Sequence, residues 1–229
     1  MPLSLAWGID DYLVVNSHKY PIDLEFSKVL RWYEMWKDKE LDAHTKIFSS
    51  LVMIVDIEWG ESFPEGLDEI AEVIPYEDII PLSEAIIKRI AGDQTPSENV
   101  VRDLKGNILE DENRTWYDFE EDSGYIYSSF LMDYGMDLLE ERKKKTLHWD
   151  KFNALVGGLS DETHFKRVIR IRQMDYPKNA DQDQIEEIRK AKQAVALKKD
   201  RAALEFEMMD LKQKREYMAK QGRGGVDGE

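Results

Sequence analysis

The chain has 229 residues with 32 Lys and Arg against 47 Asp and Glu, a formal charge of −15, and no cysteine. That length suits one large domain or two small ones, with a core that needs no covalent staples. The charge argues against binding nucleic acid by phosphate neutralisation, and the missing thiols exclude disulfides, thiolate metal sites and cysteine nucleophiles.

The charge is uneven. Residues 181–220 hold nine acids and ten bases and residues 221–229 add −1, so the first 180 residues carry −15. The pattern is an acidic body followed by a balanced, charge-rich tail. The longest apolar run, Leu51-Val52-Met53-Ile54-Val55, is far below the roughly 20 residues of a membrane-spanning helix. Met1-Pro2-Leu3-Ser4-Leu5-Ala6-Trp7 lacks the basic start of a secretory signal. Neither a membrane nor a nucleic acid is an expected partner, and the expected setting is intracellular.

Tyr12-Leu13-Val14-Val15, then Asn16-Ser17-His18-Lys19, then Tyr20-Pro21-Ile22 predict a small β-hairpin: an aromatic and β-branched arm, a polar connection, and a second arm that Pro21 confines to a sheet edge. From Asp23, the expected N-cap, Phe26, Val29, Leu30 and Tyr33 recur at helical spacing. Ile47, Phe48, Leu51, Ile54 and Val55 mark a second helix. Leu67, Ile70, Ala71 and Ile74 mark a short third, stopped by Pro75. Ile86, Ile87 and Ile90 mark a fourth, ending at Gly92. Residues 93–115 are polar, aperiodic and rich in turn formers, and read as an internal linker.

Tyr125, Ile126, Ser129, Phe130 and Tyr134 predict a helix ended by Gly135. Trp149, Phe152, Leu155 and Val156 predict another, ended by Gly157-Gly158. Ser160 is the expected N-cap of a helix with Phe165, Val168 and Ile169 on its inner face. Beyond Tyr176-Pro177, Asp181 and Gln184 form a capping-box pattern that opens one long helix running to about Gln221. Residues 222–229 are expected to be disordered. The fold class is mainly α: a compact helical bundle with a small N-terminal β-hairpin and a long C-terminal helix. It divides into a body, 1–176, an amphipathic helix, 177–221, and the tail, 222–229.

Asp118, Glu120, Glu121 and Asp122 are carboxylates in series, a set that can bind Mg²⁺ or Ca²⁺. Their spacing matches no EF-hand loop, and a solvated helix N-terminus, whose dipole favours acids, accounts for them. Among His18, His44, His148 and His164 no His-x-x-x-His occurs. His148 and His164, with Asp150 and Asp161, offer at most a two-His, one-carboxylate set, against the plainer reading of polar, partly exposed histidines. The aromatics Trp116, Tyr117, Phe119, Tyr125, Tyr127, Phe130 and Tyr134 read as packing, because their acidic neighbours repel phosphates. With no phosphate loop and no nucleophile elbow, the sequence nominates no catalytic residue, no cofactor site and no metal site.

The long C-terminal helix is the most informative element. At 100° per residue, Ile188, Ala202, Phe206 and Met209 fall within about 40° of Val195, while Leu197, Leu204, Met208 and Leu211 fall between about 160° and 220° from it. Charged residues fill both strips between. The first stripe, through Phe206, is expected to dock on the body. The second, Leu197, Leu204, Met208 and Leu211, is the expected partner or self-association face.

A set of segments then points to a family. Tyr117-Asp118-Phe119-Glu120-Glu121-Asp122, Tyr125-Ile126-Tyr127-Ser128-Ser129-Phe130, Tyr134-Gly135-Met136-Asp137-Leu138, Leu147-His148-Trp149-Asp150-Lys151-Phe152-Asn153-Ala154-Leu155, Gly158-Leu159 and Arg172-Gln173-Met174-Asp175 resemble the bacteriophage gene-product-fifteen family of long-tailed phages and prophages. Tyr20-Pro21-Ile22 and Phe26 to Trp36 share the likeness, which covers most of residues 10–176. The resemblance implies a mostly helical, non-enzymatic tail assembly chaperone of a siphophage. Such a protein keeps the tape-measure protein soluble in the host bacterial cytoplasm while tail tube subunits assemble. The tail tube protein is a further implied partner, and the C-terminal helix a route to self-association. The alternatives are a minor structural component of the virion tail and, more remotely, a carboxylate-dependent metal enzyme acting through Asp118, Glu120 and Glu121.

Overall fold

Tyr12–Val15 (β1) and His18–Pro21 (β2) pair antiparallel in the computed structural model, which describes residues 4–6, 8–59, 64, 67–92, 101–102, 108–110, 115–177, 179–209 and 212–217. The loop between them is Asn16-Ser17, both left-handed at φ 48° and 73°. Two such residues give a turn whose twist matches that of the strands. The connection is therefore two residues where the sequence suggested four, and His18 and Lys19 belong to β2.

Helices dominate the rest. Phe26–Lys37 (α1) is capped by Glu25, whose carboxylate accepts from Lys28 N–H at 3.2 Å. Asp23, the expected cap, instead accepts from the Glu25 N–H and pairs with the Lys28 ammonium. Ala43–Ile54 (α2) is capped by Asp42, and Leu67–Ile70 (α3) is a single turn. Tyr76–Ala91 (α4) ends at Gly92, φ +72°. It runs through Pro81 and starts ten residues before the expected Ile86, a proline costing the helix one backbone hydrogen bond. Within the predicted linker, Val101–Arg102 (β3) and Ile108–Glu110 (β4) pair antiparallel; its residues 93–100, 103–107 and 111–114 lie outside the described ones.

Ser123–Tyr134 (α5) ends at Gly135, φ +61°. Leu138–Lys144 (α6), which periodicity did not reveal, starts on an Asp137 cap and carries acids in its first turn and bases in its last, the arrangement the helix dipole favours. Trp149–Gly158 (α7) follows. His164–Gln173 (α8) is capped by Thr163. Ser160, the expected cap, supplies its carbonyl to the Thr163 N–H and hydroxyl.

The expected long helix is interrupted twice, after Ala194 and again at Met209, where the chain turns extended (ψ 142°). Gln182–Ala194 (α9) opens on the predicted Asp181–Gln184 capping box. The chain leaves helical geometry at Val195–Leu197, and Lys198–Met208 (α10) starts anew. A short helical turn at 212–217 follows, and 218–229, including the tail expected to be disordered, lies outside the described residues.

The chain divides into two units, Met1–Arg114 with Phe130–Leu159, and Thr115–Ser129 with Ser160–Glu229. In the first, two extended crossings stitch distant segments together. Asp23 N–H donates to Ile54 O and Asp56 N–H to Pro21 O, while Phe26 N–H donates to Leu147 O and Trp149 N–H to Leu24 O. The last pair places Trp149 and Phe152 of α7 against α1: Phe152 stacks on Phe26 at 5.2 Å and on Phe130 at 5.4 Å, and Trp149 meets Tyr33 at 5.7 Å. Ser50, fully buried on α2, satisfies two indoles at once, accepting from Trp32 Nε1 at 2.9 Å and Trp36 Nε1 at 3.0 Å while donating to Lys46 O.

The hairpin is fixed to α4 through one buried carboxylate. Asp78 is 0% exposed and accepts from Asn16 Nδ2 at 2.6 Å, His18 Nδ1 at 2.6 Å and Tyr20 OH at 2.5 Å. A buried charge survives only with such partners. The Tyr20 hydrogen bond, followed by those of Asn16 and His18, outweighs burial and holds the Asp78 pKa below its usual value of 3.8. Burial and the same bond push the Tyr20 phenol far above its usual 10.

The signs give a pH prediction. A depressed carboxylate stabilises the fold fully above its unfolded pKa, and that contribution is lost as pH falls below about 4. A raised phenol stabilises fully below its unfolded pKa, and that contribution is lost as pH rises beyond about 10. Thermal melts should therefore decline at both extremes. Tyr20→Phe should lower the plateau and weaken the alkaline decline without erasing it, because Tyr117 and Tyr134 are also raised by burial. An alkaline arm unchanged by Tyr20→Phe would contradict the assignment.

Candidate functional site

Three of the four carboxylates of the 118–122 cluster are engaged by the chain itself. Asp118 Oδ1 accepts the N–H groups of Glu120 and Glu121 at 2.9 and 3.1 Å. Glu121 Oε2 accepts the Lys198 N–H at 2.9 Å. Asp122 is 1% exposed and faces Arg172, itself 8% exposed, in a two-pronged pair at 2.7 and 2.8 Å. The expected solvated helix start is thus, at Asp122, a buried ion pair. Among the described residues no three His, Asp or Glu are gathered as a metal site.

The same guanidinium explains the helix break. Arg172 Nε donates to Val195 O at 2.6 Å and Nη1 to Trp116 O at 2.9 Å. With Val195 O turned to Arg172, and Ala196 and Leu197 buried at 7% and 1% exposure, the backbone extends at Leu197 (ψ 149°). The first free N–H of α10, that of Lys198, then goes to Glu121 rather than to a preceding turn, which satisfies a donor every helix start leaves open.

This break rearranges the predicted partner face. Leu197 is buried at 1% exposure, so it leaves the exposed stripe. Leu204 lies half-buried on α10. Met208 closes α10, with its side chain outside the described set, as is Leu211 altogether. Phe206, expected to dock on the body, meets the Tyr217 ring at 5.4 Å with the Lys214 ammonium over its face.

The histidines have local roles. His148 caps α7, its Nδ1 accepting the Asp150 N–H at 3.0 Å, which assigns the proton to Nε2, 3.1 Å from Asp11 Oδ1. Burial holds its pKa below the usual 6.5, with Asp150 and Asp11 pulling the other way. Asp150 is held by a two-pronged Arg89 contact at 2.9 and 2.6 Å. His164 belongs to the other unit, so the structure does not assemble the suggested two-His site within either unit.

Sequence periodicity missed the exposed apolar side chains. In the first unit these include Leu131 (47%), Met132 (60%) and Leu139 (57%) on α5 and α6, and Val73 (46%), Tyr76 (78%) and Ile80 (49%) around the start of α4. The second group alternates with Glu72, Glu77 and Glu84, a signal that was readable in the sequence as apolar residues interleaved with acids. No helix among the described residues is long and apolar enough to cross a membrane.

In comparison with known proteins, a family model described as Bacteriophage Gp15 protein matches residues 9–197. No curated protein and no solved structure matches the chain.

Removing one partner of a buried ion pair strands the other charge and costs ~3–5 kcal/mol. Arg172→Ala should therefore lower the urea midpoint strongly. Arg172→Met combined with Asp122→Leu should recover much of the loss, since two apolar groups leave no stranded charge. Equal losses in the single and double variants would show that the charge pair is not what holds this unit.

Proposed function

Because the chain belongs to the bacteriophage Gp15 protein family, we propose that it is a tail assembly chaperone, binding the tape-measure protein and/or tail tube subunits during siphophage tail morphogenesis in the host cytoplasm. The family identifies a phage structural or tail-related protein and is not known as enzymatic. The observation that carries the proposal is the length of the match, which spans both units and reaches the start of α10.

The physical character of the chain supports the reading. A charge of −15 keeps copies apart in solution. Large apolar side chains stand exposed on both α4 and the α5–α6 region, surface that a transient partner can cover. Leu204, Met208 and Leu211 remain the proposed partner stripe on the C-terminal segment, without Leu197. Fully burying a Leu or Met contributes roughly 1.5–3 kcal/mol, so three suffice for reversible association once ordering costs are met.

The test is co-expression with the cognate tape-measure protein, followed by mass spectrometry of purified virions. The expected result is soluble co-purification and absence from mature particles. A stoichiometric amount in virions would instead make it a minor tail component. Leu204→Glu with Leu211→Glu should abolish capture and any self-association seen by light scattering. Because Leu204 is half-buried, the melting temperature should fall modestly while the fold persists. Early melting with capture intact would show that the stripe faces inward.

A further inference from the structure

The two faces of α4 have different roles. Its inner face buries Ile79, Leu82, Ile86 and Ile90 together with Asp78, the hub of the hairpin. Its outer face carries Tyr76 and Ile80 one turn apart, followed by Glu84 at the next turn. Residues four apart on a helix form one ridge. Val73 precedes them in the turn at 71–73. All three apolar side chains are between 46% and 78% exposed, although α4 is anchored on its other side.

The charge along the first turns of this ridge is of one sign, and the first base on α4 is the exposed Lys88, one turn beyond Glu84. From Ile47 to Ile87 the sequence has ten acids and no Lys, Arg or His. Glu72, Glu77 and Glu84 are exposed, and among the described residues none of them has a cationic partner. Over most of the chain the charges are mixed, for example on α6, where Lys143 and Lys144 pair with Glu140 and Glu141. An apolar ridge with an unneutralised acidic border repels phosphate-bearing surfaces and a second acidic body alike. It is complementary to a surface with an apolar stripe flanked by ammonium or guanidinium groups.

We infer that the outer face of α4, built on Val73, Tyr76 and Ile80 with Glu72, Glu77 and Glu84 around them, is a docking surface for a basic amphipathic helix of a partner protein. The ridge enters the groove of the incoming helix, and the flanking carboxylates select Lys or Arg on its borders. This deepens the chaperone reading by naming the chemistry of the partner segment, and it rests on partner binding but not on the C-terminal stripe. Because the anchoring Asp78 network lies under this face, the ridge is presented on a preformed support, which limits the ordering cost of binding.

The experiment titrates the full chain with a labelled synthetic Leu/Lys peptide whose leucines recur at helical spacing, and with its Leu/Glu counterpart. The Lys peptide should bind, more weakly as salt rises, and the Glu peptide should not. Tyr76→Ser with Ile80→Ser should weaken the Lys peptide by about tenfold or more, as for a central apolar anchor. Glu77→Lys with Glu84→Lys should shift preference toward the Glu peptide. Glu187→Lys, on α9, serves as a charge control and should change neither. Equal binding to the Tyr76/Ile80 variant, or equal binding of both peptides, overturns the inference. So does a dimer, seen by sedimentation, that the Tyr76/Ile80 variant dissociates while the peptide fails to bind, because the occupant is then a second copy. Tape-measure capture separates the two readings. Capture that survives the Tyr76/Ile80 variant leaves the chaperone role standing without this face. Peptide binding without any tape-measure capture leaves the face standing without that role.

Discussion

The guanidinium of Arg172 is almost wholly buried, and all three of its nitrogens are committed within the second unit. Two prongs meet Asp122, a shared prong reaches Trp116 O, and Nε takes Val195 O. Arginine can do this because its donors lie in one rigid plane, which a lysine could not reproduce. Three stretches of chain, around 116–122, α8 and the turn at 195–197, are thereby set against one another. The start of α10 follows from that arrangement, since its first N–H meets Glu121 of the same acidic segment. Phe165 is drawn into the same region, its N–H bonded to Ser129 Oγ and its ring meeting Tyr117 at 5.4 Å.

The first unit uses a buried charge of the opposite sign for a comparable end. Side chains two residues apart on a strand share a face, so His18 and Tyr20 of β2, with Asn16 from the turn, converge on Asp78. A two-stranded ribbon alone is marginal in water; here it is completed by a helix. The carboxylate that fixes the hairpin also fixes which side of α4 faces inward. The opposite side, with Tyr76, Ile80 and Glu84, is left to solvent as a consequence.

The proposed chaperone role calls for reversible association, and the surface of this phage protein suits it. Exposed apolar groups attract, and a charge of −15 opposes both self-association and contact with nucleic acid. Mixed charge on the C-terminal segment and one-sided charge around α4 give two surfaces of different chemistry on one chain. In the proposed docking, discrimination between partners comes from the border charges, with the apolar centre supplying affinity.

Local pattern determined much of this protein. The hairpin and its edge proline, the helices built on Val29, Leu51, Phe130 and Phe152, the stops at Gly92 and Gly135, and the Asp181–Gln184 capping box were all legible, because each depends on residues a few positions apart. The ordered segments from Tyr117 to Asp175 were enough to indicate the family. Tertiary structure alone decided the burial of Asp122, the role of Asp78 and the division of the C-terminal helix at Val195–Leu197. The partners in those contacts are 50 residues apart for Arg172 and Asp122, 58 for Tyr20 and Asp78, and 77 for Lys198 and Glu121. Ala194-Val195-Ala196-Leu197 contains no helix breaker, so its periodicity continues unbroken on paper. A distant guanidinium that claims one carbonyl, and a core that claims one leucine, end the helix there and remove Leu197 from the face its spacing suggested.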